Sequence, residues 1–220
     1  MTAPENTRTI APYLHGLYKE LVHDVTSVSL KWKTALQLFA VSEERIKLLN
    51  RTASGFFLVC QTTFRDDVFL SLSRLTDPLQ STGKDNLTLS RLTEHLDKME
   101  HAELFEILEK KISLAIDNCK PFREYRHKTL AHTDLEKRLF LYRDPLPEIS
   151  ANQVNEAIQS VQDTLNTFGS YFFNTTTYFE EMIQTGGVDR LVYYLQKGLE
   201  AREKELQQKR DAHGLTSGSS

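Results

Sequence analysis

The sequence predicts an all-α protein, an antiparallel bundle of long helices, on three observations. Apolar residues recur at steps of three and four along most of its 220 residues, which is the period of a helix face. Only 9 Gly and 6 Pro are present, and no Pro falls between Tyr13 and Asp77 or after Pro147, so long stretches lack the residues that end helices. At 40% hydrophobic and 26% charged, the composition suits a folded domain with one substantial core. The longest apolar run, Phe56 to Cys60, is far short of the ~18 residues that a membrane-spanning helix needs, so no membrane partner is expected.

The first helix is expected from about Pro12 to Ala40. Leu14, Leu17, Leu21, Val25, Val28, Trp32, Leu36 and Phe39 form one stripe, Pro12 suits the first turn because its missing N–H costs nothing there, and the weakly helical stretch from Val25 to Val28 is a place to bend. Ser42 followed by Glu43 and Glu44 reads as an N-cap with acids at the positive end of the next helix dipole. That second helix puts Ile46, Leu49, Ala53, Phe56, Cys60, Phe64, Val68, Leu72 and Leu75 on one continuous face. It runs for about 45 Å at ~1.5 Å per residue and ends at Asp77-Pro78.

Residues 80–86 read as a polar loop, and Thr88 is placed to cap a shorter helix carrying Leu89, Leu92, Leu96 and Met99. Another helix begins near Ala102, with Leu104, Leu108, Ile112, Ala115, Ile116 and Cys119 facing inward, and Pro121 either kinks it or opens a new one at Phe122. Pro145 and Pro147 imply an extended connection. Ser150 with Gln153 makes a capping box for a helix that carries Val154 to Phe172 inward and that Gly186-Gly187 closes. The last helix, Val188 to about Ala212, turns from apolar to charged between Glu200 and Arg210. With no internal repeat, one domain is expected over residues 11–212, a flexible N-terminus over 1–10 and a disordered tail over 213–220.

The net charge of −3 and pI near 6.2 exclude a general nucleic-acid coat, so any such contact must be local. Cys60 and Cys119 make no disulfide framework, and residues 1–8 lack the apolar core of a signal peptide; a cytoplasmic location is expected. The strongest local signal is Arg123-Glu-Tyr-Arg-His-Lys-Thr-Leu-Ala-His-Thr-Asp134, which gathers cations and two imidazoles where a helix ends. Along an ideal helix the step from Arg126 to His132 amounts to about 600°, leaving the two side chains about 120° apart. They converge only if His132 lies at or past the helix end, or if a second subunit supplies one of the groups.

Arg126-His127-Lys128-Thr129-Leu130-Ala131-His132 resembles the R-x(4–6)-H signature of HEPN domains. The stretch Arg65-Asp-Asp-Val-Phe-Leu-Ser-Leu-Ser-Arg-Leu-Thr-Asp-Pro78 resembles the second-helix block of their abortive-infection (Abi), U-type branch. The resemblance implies a helical bundle that forms a homodimer, with two such motifs facing each other across a composite cleft, and metal-independent ribonuclease activity of a phage-defence or toxin–antitoxin type. Arg126 and His132 are then the catalytic pair, and no metal or cofactor is called for. The chemistry is self-consistent: RNA carries its own nucleophile in the 2′-hydroxyl, His132 has an unperturbed pKa near ~6.5 suited to proton transfer, and Arg126 offsets charge developing on the phosphate. Partners expected on this reading are RNA, a second copy of the chain, and an antitoxin or defence protein.

Asp67 and Arg74 are seven apart, and Asp77 lies three beyond Arg74, which places them near one helix face. They are expected to form a polar seam supporting the site, with Asp67 orienting an imidazole or guanidinium. His127 is a candidate for a phosphate contact or the dimer interface. Asp134, a further supporting candidate, stands where some HEPN toxins carry a modifiable Tyr, so the resemblance does not extend to that route of neutralisation. Two other readings compete. One is a non-catalytic HEPN binding or scaffold module. The other is a di-metal carboxylate bundle, from Glu20-Leu-Val-His23 and Glu124-Tyr-Arg-His127. His95 and His101 are expected at the surface, Cys60 in the core, and Cys119, beside Lys120, modestly reactive.

Overall fold

The helical period becomes helix almost throughout. In a computed structural model, residues 10–130, 148–181 and 187–212 are described, and they fall into two compact units, residues up to 32 with 65–181, and residues 33–64 with those from 187 on. Among the described residues no helix is long and apolar enough to cross a membrane.

In the first unit, α1 (Pro12–Phe39) contributes Leu14, Leu21, Val25 and Val28 to the core. It runs through the stretch expected to bend, because the hydroxyls of Thr26 and Ser29 donate to the carbonyls of Val22 and Val25 at 2.7 and 2.8 Å and so stay satisfied within the helix. The C-terminal half of α2 (Glu43–Leu75) adds Val68, Phe69, Leu72 and Leu75. The expected polar loop is a two-rung hairpin, β1 (Gln80–Ser81) against β2 (Lys84–Asp85). Its turn residues Thr82 and Gly83 have φ of 49° and 75°, the double left-handed pair that matches strand twist.

The short helix α3 covers Arg91–Glu94 with Ser90, not Thr88, at its N-cap. Thr88 instead turns its hydroxyl back to the carbonyls of Leu75 and Asp77, both at 2.9 Å. Leu89, Leu92 and Leu96 are buried as expected, whereas Met99 is 96% exposed because α3 has already ended. α4 (Ala102–Asn118) buries Leu104, Leu108, Ile112 and Ala115, and Cys119 follows in the core. Pro121 opens a new helix, α5 (Lys120–Tyr125), since its missing N–H is no loss in a first turn. A π-helical turn, Arg126–Leu130, continues it.

The capping box forms: Ser150 Oγ accepts from the Gln153 N–H at 3.3 Å and the Ser150 N–H donates to Gln153 Oε1 at 2.9 Å. It starts α6 (Ala151–Phe173), whose inward residues Val154, Ala157, Ile158, Val161, Leu165, Phe168 and Phe172 are all buried. This helix stops well before Gly186. Asn174 takes a left-handed conformation at φ 51° and closes it, a position that Asn tolerates because its short polar side chain bonds locally.

In the second unit, Leu38, Leu49, Phe57 and Val188 form a small core with Phe39, Phe64, Val192 and Leu195 packed against it. The Arg45 N–H donates to Ser42 Oγ at 3.2 Å, so Ser42 caps α2 as its position predicts. The continuous face expected of α2 fails at Ala53, whose φ of −157° and ψ of 64° interrupt the helix. The interruption shifts the register, so that Phe57 is 5% exposed while Phe56, expected inside, is 64% exposed. α7 (Gly187–Ala212) is tied to this part of α2 by Arg45–Asp189 at 3.0 Å and by Arg51–Glu203. The expected connection through Pro145 and Pro147, the tail over 213–220 and residues 1–9 lie outside the described residues.

Candidate functional site

The site is built on the C-terminus of α2, where a helix leaves its last carbonyls without partners. The carbonyls of Leu72, Ser73 and Arg74 are served by the next residues, Thr76 and Asp77, while Leu75 and the carbonyls just past the helix find donors from other segments. Leu75 O accepts from the Leu89 N–H at 2.9 Å and from Thr88 Oγ1. Thr76 O accepts from Arg123 Nη2 at 2.6 Å, and Asp77 O accepts from Thr88 Oγ1. Pro78 O takes the Asn86 side-chain amide at 2.8 Å. Leu79 O accepts from the Asn86 N–H at 2.9 Å and from Arg91 Nη2 at 2.6 Å. Arg91 is itself buried and also pairs with Asp85 and Glu94 at 2.8 and 2.5 Å, so the hairpin and α3 are fastened to this end of α2.

The pinned carboxylate is Asp77. Arg126 Nη1 donates to its Oδ2 at 2.7 Å and Nη2 to its Oδ1 at 2.9 Å, the two-point fork that a guanidinium and a carboxylate form best. Side-chain exposure is 14% for Asp77 and 18% for Arg126, so the pair is largely shielded from screening water yet reachable. Arg123, one turn earlier, also donates Nη2 to Thr76 Oγ1 at 3.1 Å. Its Nε is buried without a hydrogen-bond partner among the described residues, 4.0 Å from Asp77 Oδ1. Phe122 and Tyr125 anchor α5 against Phe69, with ring centroids 5.0 and 5.1 Å from it. Tyr125 OH donates to Asp66 Oδ1 at 2.9 Å, which also takes Arg65 Nε at 3.0 Å. Burial first, and then the Asp66 bond, raise the Tyr125 phenol above its ordinary pKa.

The carboxylate on Arg126 is therefore Asp77. Asp67 instead pairs with Lys31 at 2.7 Å, so among the described residues it is not bonded to a guanidinium or imidazole of the site. Arg74 is exposed, with no side-chain ion pair among the described residues. His127 is exposed beside Arg126. His132 and Asp134 lie outside the described residues. Sequence reasoning assigns no site role to Arg123, which opens the cationic motif, to Thr88, read as a helix cap, or to Arg91 and the Asp66–Tyr125 bond. Of these only Arg123 carried a signal, since it lies three residues before Arg126 and so on the same helix face.

Other candidates resolve differently. Glu20, His23, Glu124 and His127 are all exposed, so the two Glu-x-x-His pairs do not point into a bundle core. Among the described residues no three His, Cys, Asp or Glu side chains come together to hold a metal. His101, expected at the surface, is 8% exposed, with Nδ1 3.0 Å from Tyr171 OH. Cys119 is fully buried. Desolvation pushes its thiol up to about 12 against the opposing effects of Thr76 and Arg123, so it is not the modestly reactive group expected. Cys60 is partly buried and not a full core residue.

Chemically, Arg126 has five N–H donors and gives two to Asp77. Among the described residues its Nε–H makes no hydrogen bond, and the Nε side of the guanidinium is the second edge able to form two parallel bonds to an anion. A family model described as AbiU2, of HEPN type, matches residues 12–190. No curated protein and no solved structure matches the chain.

Proposed function

We propose that this chain, which belongs to the AbiU2 family of HEPN domains, is a metal-independent endoribonuclease of a phage-defence or toxin–antitoxin system. The observation that carries the reading is the Arg126 guanidinium, held by Asp77 through two bonds at its Nη end, with no bond to its Nε edge among the described residues. It sits in a π-helical turn, a local irregularity that recurs at functional sites. A phosphodiester presents two non-bridging oxygens, which that edge can grip.

The reaction needs no nucleophile from the protein. His132 takes the proton from a ribose 2′-hydroxyl, the 2′-oxygen bonds to phosphorus, and the bond from phosphorus to the 5′-oxygen breaks. The departing 5′-oxygen receives a proton from the second imidazole of the cleft, His132 of a second copy, and Arg126 offsets the charge gathered on the phosphorane oxygens. The products are a 2′,3′-cyclic phosphate and a 5′-hydroxyl. The chain works as a homodimer, and an antitoxin or defence partner controls it in the cell.

An oligoribonucleotide with one 2′-deoxy nucleotide at the cleaved bond tests this reading. Cleavage at that bond is expected to stop while neighbouring bonds are still cut. Unchanged cleavage there, or products with 3′-hydroxyl ends, contradicts the mechanism.

A further inference from the structure

We propose that Asp77 is a positioning residue that clamps Arg126 by the two outer nitrogens and so presents its Nε edge to a single RNA phosphodiester. The inference rests on the ribonuclease reading above and adds how the phosphate is received.

Three observations separate this clamp from an ordinary ion pair. The first is placement. Asp77 stands at the C-terminus of α2, where the helix dipole disfavours a carboxylate. Its own carbonyl is nonetheless fixed by Thr88 Oγ1 at 2.9 Å, and its N–H donates to Arg74 O at 3.2 Å. A carboxylate stationed against the dipole and held at both ends of its backbone unit serves the groups that face it. The second observation is charge. Asp77 is faced by Arg126 at 2.7 Å and by Arg123 Nε at 4.0 Å. Two guanidinium groups and one carboxylate leave one net positive charge, which matches the one negative charge of a phosphodiester.

The third observation is geometry. A guanidinium has an end, made by Nη1 and Nη2, and a side, made by Nε and Nη2, each able to form two parallel bonds. Asp77 takes the end, so the side is the edge left for phosphate. With the end fixed, the planar group cannot swing, and the phosphate is aligned before the 2′-oxygen attacks. Misplacement by about 1 Å costs on the order of 100-fold in rate, and that is the loss expected when the clamp is opened.

The test uses the full-length protein and its Asp77→Asn and Asp77→Glu variants, each checked for native circular dichroism and melting. Nitrogen-15 spectra of the arginine side chains, with Arg126 assigned through Arg126→Lys, are recorded while a 2′-O-methyl RNA that cannot be cleaved is added. The expected result is a shift of the Arg126 Nε–H on titration that is lost in Asp77→Asn. It is joined by a fall in kcat of about 100-fold with KM changed far less, and by partial recovery in Asp77→Glu.

The two readings fail separately. If the wild type cleaves RNA through Arg126 and Asp77→Asn cleaves equally well, the clamp is overturned and the ribonuclease reading stands. If the wild type cleaves nothing but its Arg126 Nε–H shifts in an Asp77-dependent way, the clamp stands and the catalytic reading falls. An Nε–H that ignores the RNA in the wild type overturns the clamp outright.

Discussion

Asp77 at the end of α2 and Arg126 in the π-helical turn, 49 residues apart in the chain, are joined by two parallel hydrogen bonds of 2.7 and 2.9 Å. A fork of this kind needs a planar donor, which lysine cannot supply. Arg126→Lys keeps the charge and loses the fork. RNA cleavage by this variant is therefore expected to fall by about 100-fold, nearly as far as in Arg126→Ala, with circular dichroism unchanged. Wild-type rates in Arg126→Lys would mean that charge alone is needed.

The end of α2 is held by the Thr88 hydroxyl, which serves two carbonyls in a buried setting. Thr88→Val keeps the shape and removes the one O–H shared between them, leaving the carbonyl of Asp77 without a donor among the described residues. Urea unfolding is expected to report a loss of about 1–3 kcal/mol, while Thr88→Ser, which keeps the hydroxyl, loses less.

The interruption at Ala53 makes opposite predictions for two adjacent phenylalanines. Phe57 is 5% exposed and Phe56 is 64% exposed. Phe57→Ala is expected to cost about 3–5 kcal/mol and Phe56→Ala no more than about 0.5 kcal/mol. Equal costs in thermal or urea unfolding would show an unbroken helix face.

Cys119 gives a pH dependence whose sign follows from burial. Its folded pKa is pushed up to about 12, whereas an unfolded thiol titrates near ~8.5. The stabilisation is then fully present below the unfolded value and is lost as pH rises from there through the folded one, because the unfolded chain releases its proton first. Cys119→Ala is expected to flatten the fall in stability over that alkaline range. At neutral pH, iodoacetamide should label the partly buried Cys60 faster than the fully buried Cys119, which is spared until the protein unfolds.

Much of the fold was legible in the sequence, because the stripe of α6 and its Ser150–Gln153 box are local signals that tertiary packing reinforces. The failures have local causes too. The break at Ala53 has only a weak local signal, the Ser54-Gly55 pair, which the surrounding apolar stripe masks. Asn174 ended α6 in a place where a search for Gly and Pro passes over it. Thr88 looked like a helix cap because it precedes an apolar run, yet its hydroxyl was needed more by the carbonyls of Leu75 and Asp77. The site was legible through Arg126 and, less sharply, Asp77 in the expected polar seam. Which carboxylate serves Arg126 depends on how α5 crosses α2. Helical spacing placed Asp67 and Asp77 near one face and could not rank them. Lys31, on α1, takes Asp67, and no pattern within α2 encodes that.

The central claim is that Arg126 and His132 cleave RNA without metal, and it is most directly tested by incubating purified protein with mixed RNA in excess EDTA. Arg126→Ala and His132→Ala, matched for fold and dimer content, are assayed alongside. Cleavage by the wild type to 2′,3′-cyclic phosphate ends and loss of that cleavage in both variants are expected. Equal cleavage by all three proteins, or none by any, would contradict the claim.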